Sequence, residues 1–157
     1  MKRIALFFSA SIILFLSGGC YKDRKPCQPK TVASEDAAML SYAVANGITA
    51  TKHGSGMYYQ IINPGSGTVT PTNASTVTVK YTGKLINGTI FDQRITTPVS
   101  FVLGGVIVGW QLCLPLIKKG GSIKLIIPSE YGYGCAGQGP VPGYSILYFE
   151  IELIDVL

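Results

Sequence analysis

Two stretches of strict apolar–polar alternation constrain the fold of this chain more than any other feature. One runs from Ser75 to Thr82, and the other runs from Leu147 to Leu153. Successive side chains of a strand point to opposite faces, so each stretch predicts a strand with one apolar and one polar face. The predicted inward residues are Val77, Val79, Tyr81, Leu147, Phe149, Ile151 and Leu153, and the predicted outward residues are Thr76, Thr78, Lys80, Tyr148, Glu150 and Glu152. One buried and one solvated face are typical of an antiparallel sheet.

Further strand and turn signals lie between and before these stretches. Residues 56–62 predict a strand that ends in the turn-forming sequence 63–67, and residues 123–127 alternate again. Asn87-Gly88 separates two short apolar runs and is the strongest hairpin signal in the chain. Together with a short helix near Trp110, these elements predict an α+β domain in which a curled sheet clasps that helix.

An N-terminal helix is predicted from Ser34 to Asn46. Ser34 is the expected N-cap, Glu35-Asp36 fills the first turn, and Asn46-Gly47 ends the helix. Its apolar stripe consists of Met39, Leu40, Tyr42, Ala43 and Ile48. This stripe predicts packing on the domain or on another copy of it, and a spacer helix is an equally open interpretation. Residues 34–54 are therefore assigned to a helix and linker.

The first residues predict export and membrane anchoring. Lys2-Arg3 precedes thirteen small or apolar residues, Ile4 to Leu16, which is typical of a signal peptide, here assigned to residues 1–19. The following Cys20 resembles the lipidated cysteine of bacterial lipoproteins, with cleavage and a free Cys20 as the alternative. Residues 20–33 then form a lipidated tether. The expected location is the cell envelope, on the periplasmic side of the outer membrane, with surface exposure as the alternative.

Charge and residue inventory exclude several classes of function. The chain has a formal net charge of +5, but from Ser55 onward six basic and five acidic residues nearly balance, which gives no basis for nucleic-acid binding. His53 is the sole histidine and has no cluster of metal-ligating residues near it in sequence. We therefore expect neither a metal site nor a histidine-based triad, and no cofactor.

Several motifs from Ser55 onward carry a family resemblance. They are Val79-Lys80-Tyr81-Thr82-Gly83-Lys84-Leu85, Asn87-Gly88, Phe91-Asp92, Phe101-Val102-Leu103-Gly104, Val106-Ile107-Val108-Gly109-Trp110, Lys119-Gly120-Gly121, Ile127-Pro128, Tyr131-Gly132-Tyr133-Gly134 and Leu147-Tyr148-Phe149-Glu150-Ile151-Glu152-Leu153. In order and spacing they resemble the FKBP family of peptidyl-prolyl cis-trans isomerases. The resemblance spans residues 55–157, the predicted isomerase domain, and implies a five- or six-stranded antiparallel sheet curled around one short helix.

The resemblance also implies a proline-binding pocket and assigns its residues. The walls are Tyr81, Phe91 and Phe149, the rim is Val106 and Ile107, and the floor is Trp110. The backbone N–H of Ile107 holds a substrate carbonyl, the Tyr133 hydroxyl donates to another, and the Asp92 carboxylate lies at the pocket edge. Asp92, Tyr133 and Ile107 are therefore the predicted catalytic groups.

The expected reaction fits this inventory of side chains. Rotation about an Xaa-Pro bond crosses a barrier of about 18–20 kcal/mol, and lowering it by roughly 4–7 kcal/mol accelerates it a thousand- to a hundred-thousand-fold. An apolar pocket that binds the twisted amide more tightly than the planar one can do this without a nucleophile. The expected partners are proline-containing polypeptides being exported. A binding module or holdase without turnover and a purely structural envelope lipoprotein are the alternatives.

The sequence departs from the family pattern at the pocket. The segment between Asp92 and Pro98 and the gap between Gly104 and Trp110 are both short, and Gln138 stands where a histidine is common. These departures leave the activity level and the affinity for macrolide ligands open, and no feature settles the oligomeric state.

The cysteines raise one more expectation. Cys113 and Cys135 both border the predicted pocket, and in an oxidising compartment a disulfide between them is one interpretation. Two reduced, buried thiols are the alternative, and Cys27 in the tether is left without a partner.

Overall fold

The computed structural model describes residues 26–157 of the chain. The predicted signal peptide, residues 1–19, and the lipidation site Cys20 lie outside the described residues. None of the helices within 26–157 has the length and apolar character needed to cross a membrane.

A single antiparallel sheet of six strands forms the body of the protein, in the order β1-β2-β5-β6-β3-β4. The strands are β1 (Thr51–Lys52), β2 (Tyr58–Asn63), β3 (Thr76–Leu85), β4 (Ile90–Val102), β5 (Ser122–Ile127) and β6 (Leu147–Val156). Two α-helices, α1 (Val32–Ala45) and α2 (Val108–Cys113), pack on it, and short 3₁₀ turns cover Leu103–Gly105, Leu114–Leu116 and Ser129–Tyr131. The expected α+β fold, a curled sheet around one short helix after an N-terminal helix, is confirmed.

The Asn87-Gly88 turn joins β3 to β4 as the sequence predicts. Gly88 has φ of 92°, a left-handed conformation that costs glycine little, and its N–H donates to the carbonyl of Leu85 at 2.9 Å. The Asn87 side chain accepts from the N–H of Thr89 at 3.0 Å. These bonds close the hairpin and set the register that carries Asp92 to a position opposite Gly83.

The concave face of the sheet packs against α2 and forms the main core. Its buried side chains come from β3, β5, β6 and α2, and include Val77, Val79, Tyr81, Trp110, Cys113, Leu125, Leu147, Phe149, Ile151 and Leu153. Helix α2 approaches β5 closely, because a Cβ atom at Gly109 would lie 2.6 Å from Ile127 Cδ1. Glycine at position 109 therefore lets the helix set Trp110 directly onto the sheet.

The convex face is partly covered by α1, which corrects one prediction from the alternation pattern. Tyr148, expected to point outward into solvent, is only 4% exposed and lies 5.3 Å from the ring of Tyr42 on α1. It belongs to a second cluster formed by Met39, Ala43, Ile48, Tyr58, Ile126, Ile146 and Tyr148. The prediction of a wet outer face was wrong here because a helix from elsewhere in the chain covers it.

Helix α1 packs on the domain and begins earlier than expected. Its N-cap is Thr31, which has an extended backbone and whose side-chain Oγ1 accepts from the N–H of Ser34 at 3.3 Å. The prediction of Ser34 as N-cap was therefore wrong. The helix ends at Ala45 with Asn46 as C-cap, as predicted. Leu40 is 47% exposed and does not belong to the buried stripe, because Met39 and Ala43 already define the contact face.

The disulfide joins Cys27 to Cys135, with their Cα atoms 5.8 Å apart. The interpretation that Cys113 pairs with Cys135 was therefore wrong. Cys113 is a buried free thiol on the inner side of α2, with its Sγ atom 3.7 Å from Met57 Sδ. The prediction missed the real partner because the tether folds back against the loop that contains Cys135, which no local pattern indicates.

Candidate functional site

A cavity of about 560 Å³ lies between the concave face of the sheet and α2. It brings together all eight residues that the family resemblance assigned to the pocket, namely Tyr81, Phe91, Asp92, Val106, Ile107, Trp110, Tyr133 and Phe149. Phe101, Gly105, Gly132 and Gln138 also line it. The cavity thus combines an aromatic interior with a small number of polar groups, which is typical of a ligand-binding pocket.

The aromatic rings of the cavity meet edge to face. Trp110 contacts Tyr81 at 5.2 Å and Phe149 at 5.3 Å between ring centroids, with interplanar angles of 83° and 84°. Phe91 contacts Phe149 in the same way at 5.5 Å and Tyr133 at 6.5 Å. Edge-to-face pairs are a favoured geometry for aromatic rings, so these contacts stabilise one mutual arrangement of the cavity walls.

Trp110 lies at the base of this network and is 4% exposed. Its indole Nε1 is buried and has no hydrogen-bond partner among the described residues. The ring is therefore held by packing against Tyr81, Phe101 and Phe149 rather than by a hydrogen bond.

Asp92 forms the polar edge of the cavity with two partners. The Tyr81 hydroxyl donates to Asp92 Oδ2 at 2.5 Å, and Arg94 Nη1 lies 3.2 Å from Asp92 Oδ1. Arg94 therefore supplies a cation beside this carboxylate. Burial, and secondly the neighbouring Asp92 carboxylate, raise the pKa of Tyr81 well above its ordinary range. The Tyr81 hydroxyl consequently stays protonated and orients the carboxylate.

Tyr133 brings a second hydroxyl to the cavity from the loop after β5. Burial, and secondly the Asp92 charge, raise its pKa above the ordinary tyrosine value. The Tyr133 hydroxyl donates to no other residue within 26–157, so its proton is free for a ligand acceptor. It is a neutral donor among the aromatic rings of a partly enclosed cavity, where a hydrogen bond is stronger than in water.

The rim is built from the turn that leads into α2. Ile107 is the N-cap residue of α2, and its backbone N–H donates to no described residue, which fits the unpaired amides expected at a helix start. Gln111 Nε2 donates to the carbonyl of Val106 at 2.7 Å and thereby fixes this turn. The rim therefore presents a backbone donor at a defined position.

Sequence reasoning missed Phe101 and Gln111 as parts of the site. Phe101 lies within a quoted motif, and its position opposite Val77 on β3 could have placed it on the inner face. No sequence signal indicated that the Gln111 side chain turns back to the carbonyl of Val106. Within residues 26–157, no group of three or more His, Cys, Asp or Glu side chains is arranged to hold a metal ion.

Comparisons with known proteins agree with this geometry. The family model described as FKBP-type peptidyl-prolyl cis-trans isomerase matches residues 67–154. The chain is 48% identical over 103 residues, 64% of its length, to the FKBP-type peptidyl-prolyl cis-trans isomerase FkpA of Escherichia coli. It is 41% identical over 127 residues, 79% of its length, to a probable FKBP-type peptidyl-prolyl cis-trans isomerase of Haemophilus influenzae. It spans only 38% and 52% of the length of these two relatives.

Two crystal structures show the same fold. FkpA from Escherichia coli superimposes with a TM-score of 0.70 at 41% identity, covering 80% of this chain and 60% of that one. A peptidyl-prolyl cis-trans isomerase from Pseudomonas syringae gives 0.67 at 32% identity, covering 82% of this chain and 98% of that one. Since the family model covers more than half of the sequence and the relatives agree with it, the chain belongs to the FKBP-type peptidyl-prolyl cis-trans isomerase family.

Proposed function

We propose that this protein accelerates rotation about Xaa-Pro bonds in exported polypeptides by binding the twisted amide in its aromatic cavity. One observation carries the proposal: the cavity combines edge-to-face aromatic walls with three polar groups from its lining residues. These groups are the Asp92 carboxylate, the Tyr133 hydroxyl and the N–H of Ile107. Membership of the isomerase family supports the same reaction.

Each group has a distinct role in the proposed mechanism. The proline ring enters the apolar cavity above Trp110, where removal of water favours the less polar, twisted amide over the planar resonance form. The Ile107 N–H and the Tyr133 hydroxyl hold carbonyl groups of the substrate backbone on either side of the bond. Asp92, fixed by Tyr81 and Arg94, places a negative charge next to the rotating amide. No bond is made or broken in this reaction.

The decisive measurement is exchange between the cis and trans forms of a short Xaa-Pro peptide, followed by NMR at micromolar protein. Acceleration above the uncatalysed rate, which takes tens to hundreds of seconds, is expected. Binding of the peptide without faster exchange would contradict the enzyme and favour the holdase or binding-module alternative. A macrolide that occupies the cavity is expected to suppress the acceleration.

Two substitutions test the assigned side chains. Asp92→Ala removes the carboxylate, and Tyr133→Phe removes only the hydroxyl, so both are expected to lower kcat/KM by roughly tenfold or more while the domain stays folded. The measurement is the same NMR exchange, with circular dichroism as the control for folding. Unchanged rates in both variants would show that these side chains do not act in the reaction.

We further propose that the protein is anchored to the cell envelope through a lipid on Cys20 and faces the periplasm. The basic, apolar and small residues before Cys20 support this location. The test is fractionation of cells that express the wild type or Cys20→Ala. The wild type should stay with the membranes and the variant should be released, whereas a variant that remains membrane-bound would rule out anchoring through this residue.

A further inference from the structure

We propose that the segment from Cys27 to Glu35, here called the clamp, positions the loop that carries Tyr133 and thereby tunes substrate binding. The loop, here called the pocket loop, comprises residues 128–146. The proposal rests on the proposed function for its kinetic consequence, but its structural part can be tested without catalysis. Cys27 and Glu35 are positioning residues, since neither lines the cavity.

The pocket loop has little regular secondary structure and many glycines, so contacts from outside the loop contribute to its order. It contributes Gly132, Tyr133 and Gln138 to the cavity, yet apart from one 3₁₀ turn it contains no helix or strand. Its glycines are Gly132, Gly134, Gly137, Gly139 and Gly143. Glycine loses more conformational freedom on folding than any other residue, so ordering such a loop is costly.

The first support is covalent. The disulfide ties Cys27 of the clamp to Cys135, which lies two residues beyond Tyr133 in the pocket loop. A covalent link this close in sequence restricts how far the backbone of Tyr133 can move. The half of the loop nearest to the cavity is therefore attached to the N-terminal segment.

The second support is a buried carboxylate. Glu35 is only 3% exposed, and its Oε2 atom accepts from the backbone N–H of Ser129 at 2.7 Å and from its hydroxyl at 2.9 Å. The carbonyl of Ser129 in turn accepts from the N–H groups of Gly132 at 3.2 Å and Gly134 at 2.8 Å. Glu35 thus holds Ser129 in place, and Ser129 in turn binds the backbone on both sides of Tyr133.

Two further contacts complete the clamp. The backbone N–H of Val32 donates to Glu130 Oε2 at 3.1 Å, and Lys30 Nζ lies 5.3 Å from the ring centre of Tyr144. Lys30 Nζ also lies 3.8 Å from Glu35 Oε1 and offsets its buried charge. All the clamp residues precede residue 67, where the match to the family model begins. Residues that lie outside the part matched by the family model therefore contact the loop that forms one wall of the cavity.

This arrangement makes a specific kinetic prediction. If releasing the clamp lets the pocket loop sample other conformations, only a fraction of molecules present Tyr133 and Gln138 correctly at any moment. The apparent dissociation constant of a substrate rises by the inverse of that fraction, whereas saturating substrate restores the competent form. The loss should therefore appear in KM much more than in kcat.

The experiment compares four variants of the full chain: two that release the clamp, one control and one conservative rescue. The double variant Cys27→Ser/Cys135→Ser opens the disulfide, and Glu35→Ala removes the acceptor for Ser129. Asp36→Ala is the matched control, because Asp36 lies next to Glu35 on α1 but accepts from the hydroxyl of Tyr58 at 3.0 Å, away from the loop. Glu35→Gln keeps a side-chain oxygen for Ser129 and serves as the conservative rescue.

The first readout is hydrogen exchange of the pocket-loop amides by mass spectrometry. We expect exchange in residues 129–146 to become about tenfold faster in the double variant and in Glu35→Ala, with little change in β3 and β6. Glu35→Gln and Asp36→Ala should resemble the wild type. Loop protection that is unchanged in both clamp variants, or lost equally in Asp36→Ala, would overturn the proposal.

The second readout is KM and kcat for prolyl isomerisation. KM should rise about three- to tenfold in the double variant and in Glu35→Ala, while kcat changes less than about twofold. A fall in kcat without a rise in KM would contradict the clamp. If the wild type does not accelerate isomerisation at all, the proposed function fails, and hydrogen exchange alone still decides whether the clamp orders the loop.

Discussion

Gly83 shows how a single residue shapes the cavity. It lies on β3 between Phe149 of β6 and Asp92 of β4, its partners in the sheet. A Cβ atom here would lie 2.7 Å from Phe149 Cε1 and 2.8 Å from Phe91 Cζ. Two cavity walls therefore occupy the space that any side chain at this position would need.

The substitution Gly83→Ala is expected to displace these two rings. Forcing an extra methyl group into packed surroundings typically costs about 1–3 kcal/mol, and the displaced rings should lower kcat/KM by roughly tenfold. Urea unfolding and NMR exchange measure the two effects. Gly54→Ala is the control, because a Cβ atom there has nothing within 4 Å. Wild-type activity in Gly83→Ala would show that the wall positions do not matter.

The Cys113 thiol should not react with alkylating reagents in the native protein. Burial raises the pKa of its thiol to about 12, and the side chain is inaccessible, so the reactive thiolate is scarce at neutral pH. We expect a maleimide or iodoacetamide to leave Cys113 unmodified in the folded protein and to label it in denaturant without reductant. Labelling of the native protein at the rate of a free peptide thiol would contradict the buried position.

At the scale of the elements, α1 stabilises the domain through one narrow face. Met39 is fully buried against the convex side of the sheet, whereas its neighbour Leu40 is 47% exposed. A second attachment comes from Asp36, which accepts from Tyr58 and pairs with Lys52 at 2.6 Å. The helix is therefore part of the folded unit rather than a spacer.

The pair Met39 and Leu40 gives a test with a built-in control. Met39→Ala leaves a cavity under α1 and is expected to lower the free energy of unfolding by about 2–5 kcal/mol. Leu40→Ala, on the same helix, should change it by less than about 0.5 kcal/mol. Urea denaturation followed by fluorescence or circular dichroism measures both. Equal effects of the two substitutions would mean that α1 does not dock in this orientation.

For the whole molecule, the buried tyrosines predict a loss of stability in alkali. Burial, followed by a nearby carboxylate, raises the pKa of Tyr81, Tyr133 and Tyr148 above the ordinary value of 10.0. Above about pH 10 the unfolded chain loses phenolic protons that the native chain keeps, so the free energy of unfolding falls as pH rises. The stabilisation is complete below the unfolded value and is lost as pH rises through the native values.

Urea unfolding at pH 8, 10 and 11 measures this effect. Tyr148→Phe is the informative variant, because its ring still fills the second cluster but carries no ionisable group. The decline between pH 10 and 11 should be smaller in Tyr148→Phe than in the wild type. A stability that does not depend on pH above 10 would show that these hydroxyls ionise freely in the native state.

The sequence predicts the sheet well because alternation and turn chemistry are local. The β3 alternation and the Asn87-Gly88 turn determine strand faces and a hairpin without reference to the rest of the chain. Tyr148 could not be assigned correctly, since the alternation that points it outward does not reveal that α1 covers that face. The N-cap role of Thr31 and the pairing of Cys27 could not be predicted for a related reason. Their roles depend on the path by which the N-terminal segment returns to the domain.

The candidate site likewise contains some residues that the sequence predicts and others that it does not. Trp110 and the aromatic walls follow from motifs that resemble a family, and the structure places them around one cavity. The support of Tyr133 by Glu35 could not be predicted, because these residues are almost a hundred positions apart in sequence and meet only through the bonds of Glu35 to Ser129.

The strand order has a consequence for how the chain folds. β6 follows every other strand in the sequence, yet it lies in the centre of the sheet, paired with β5 on one side and β3 on the other. Until Leu147 and the residues after it are available, the β3–β4 hairpin and the β1-β2-β5 group have no strand to join them. The complete sheet can therefore form only after β6 has been synthesised. A nascent chain stalled before β6 would expose the inner faces of both halves to chaperones and proteases.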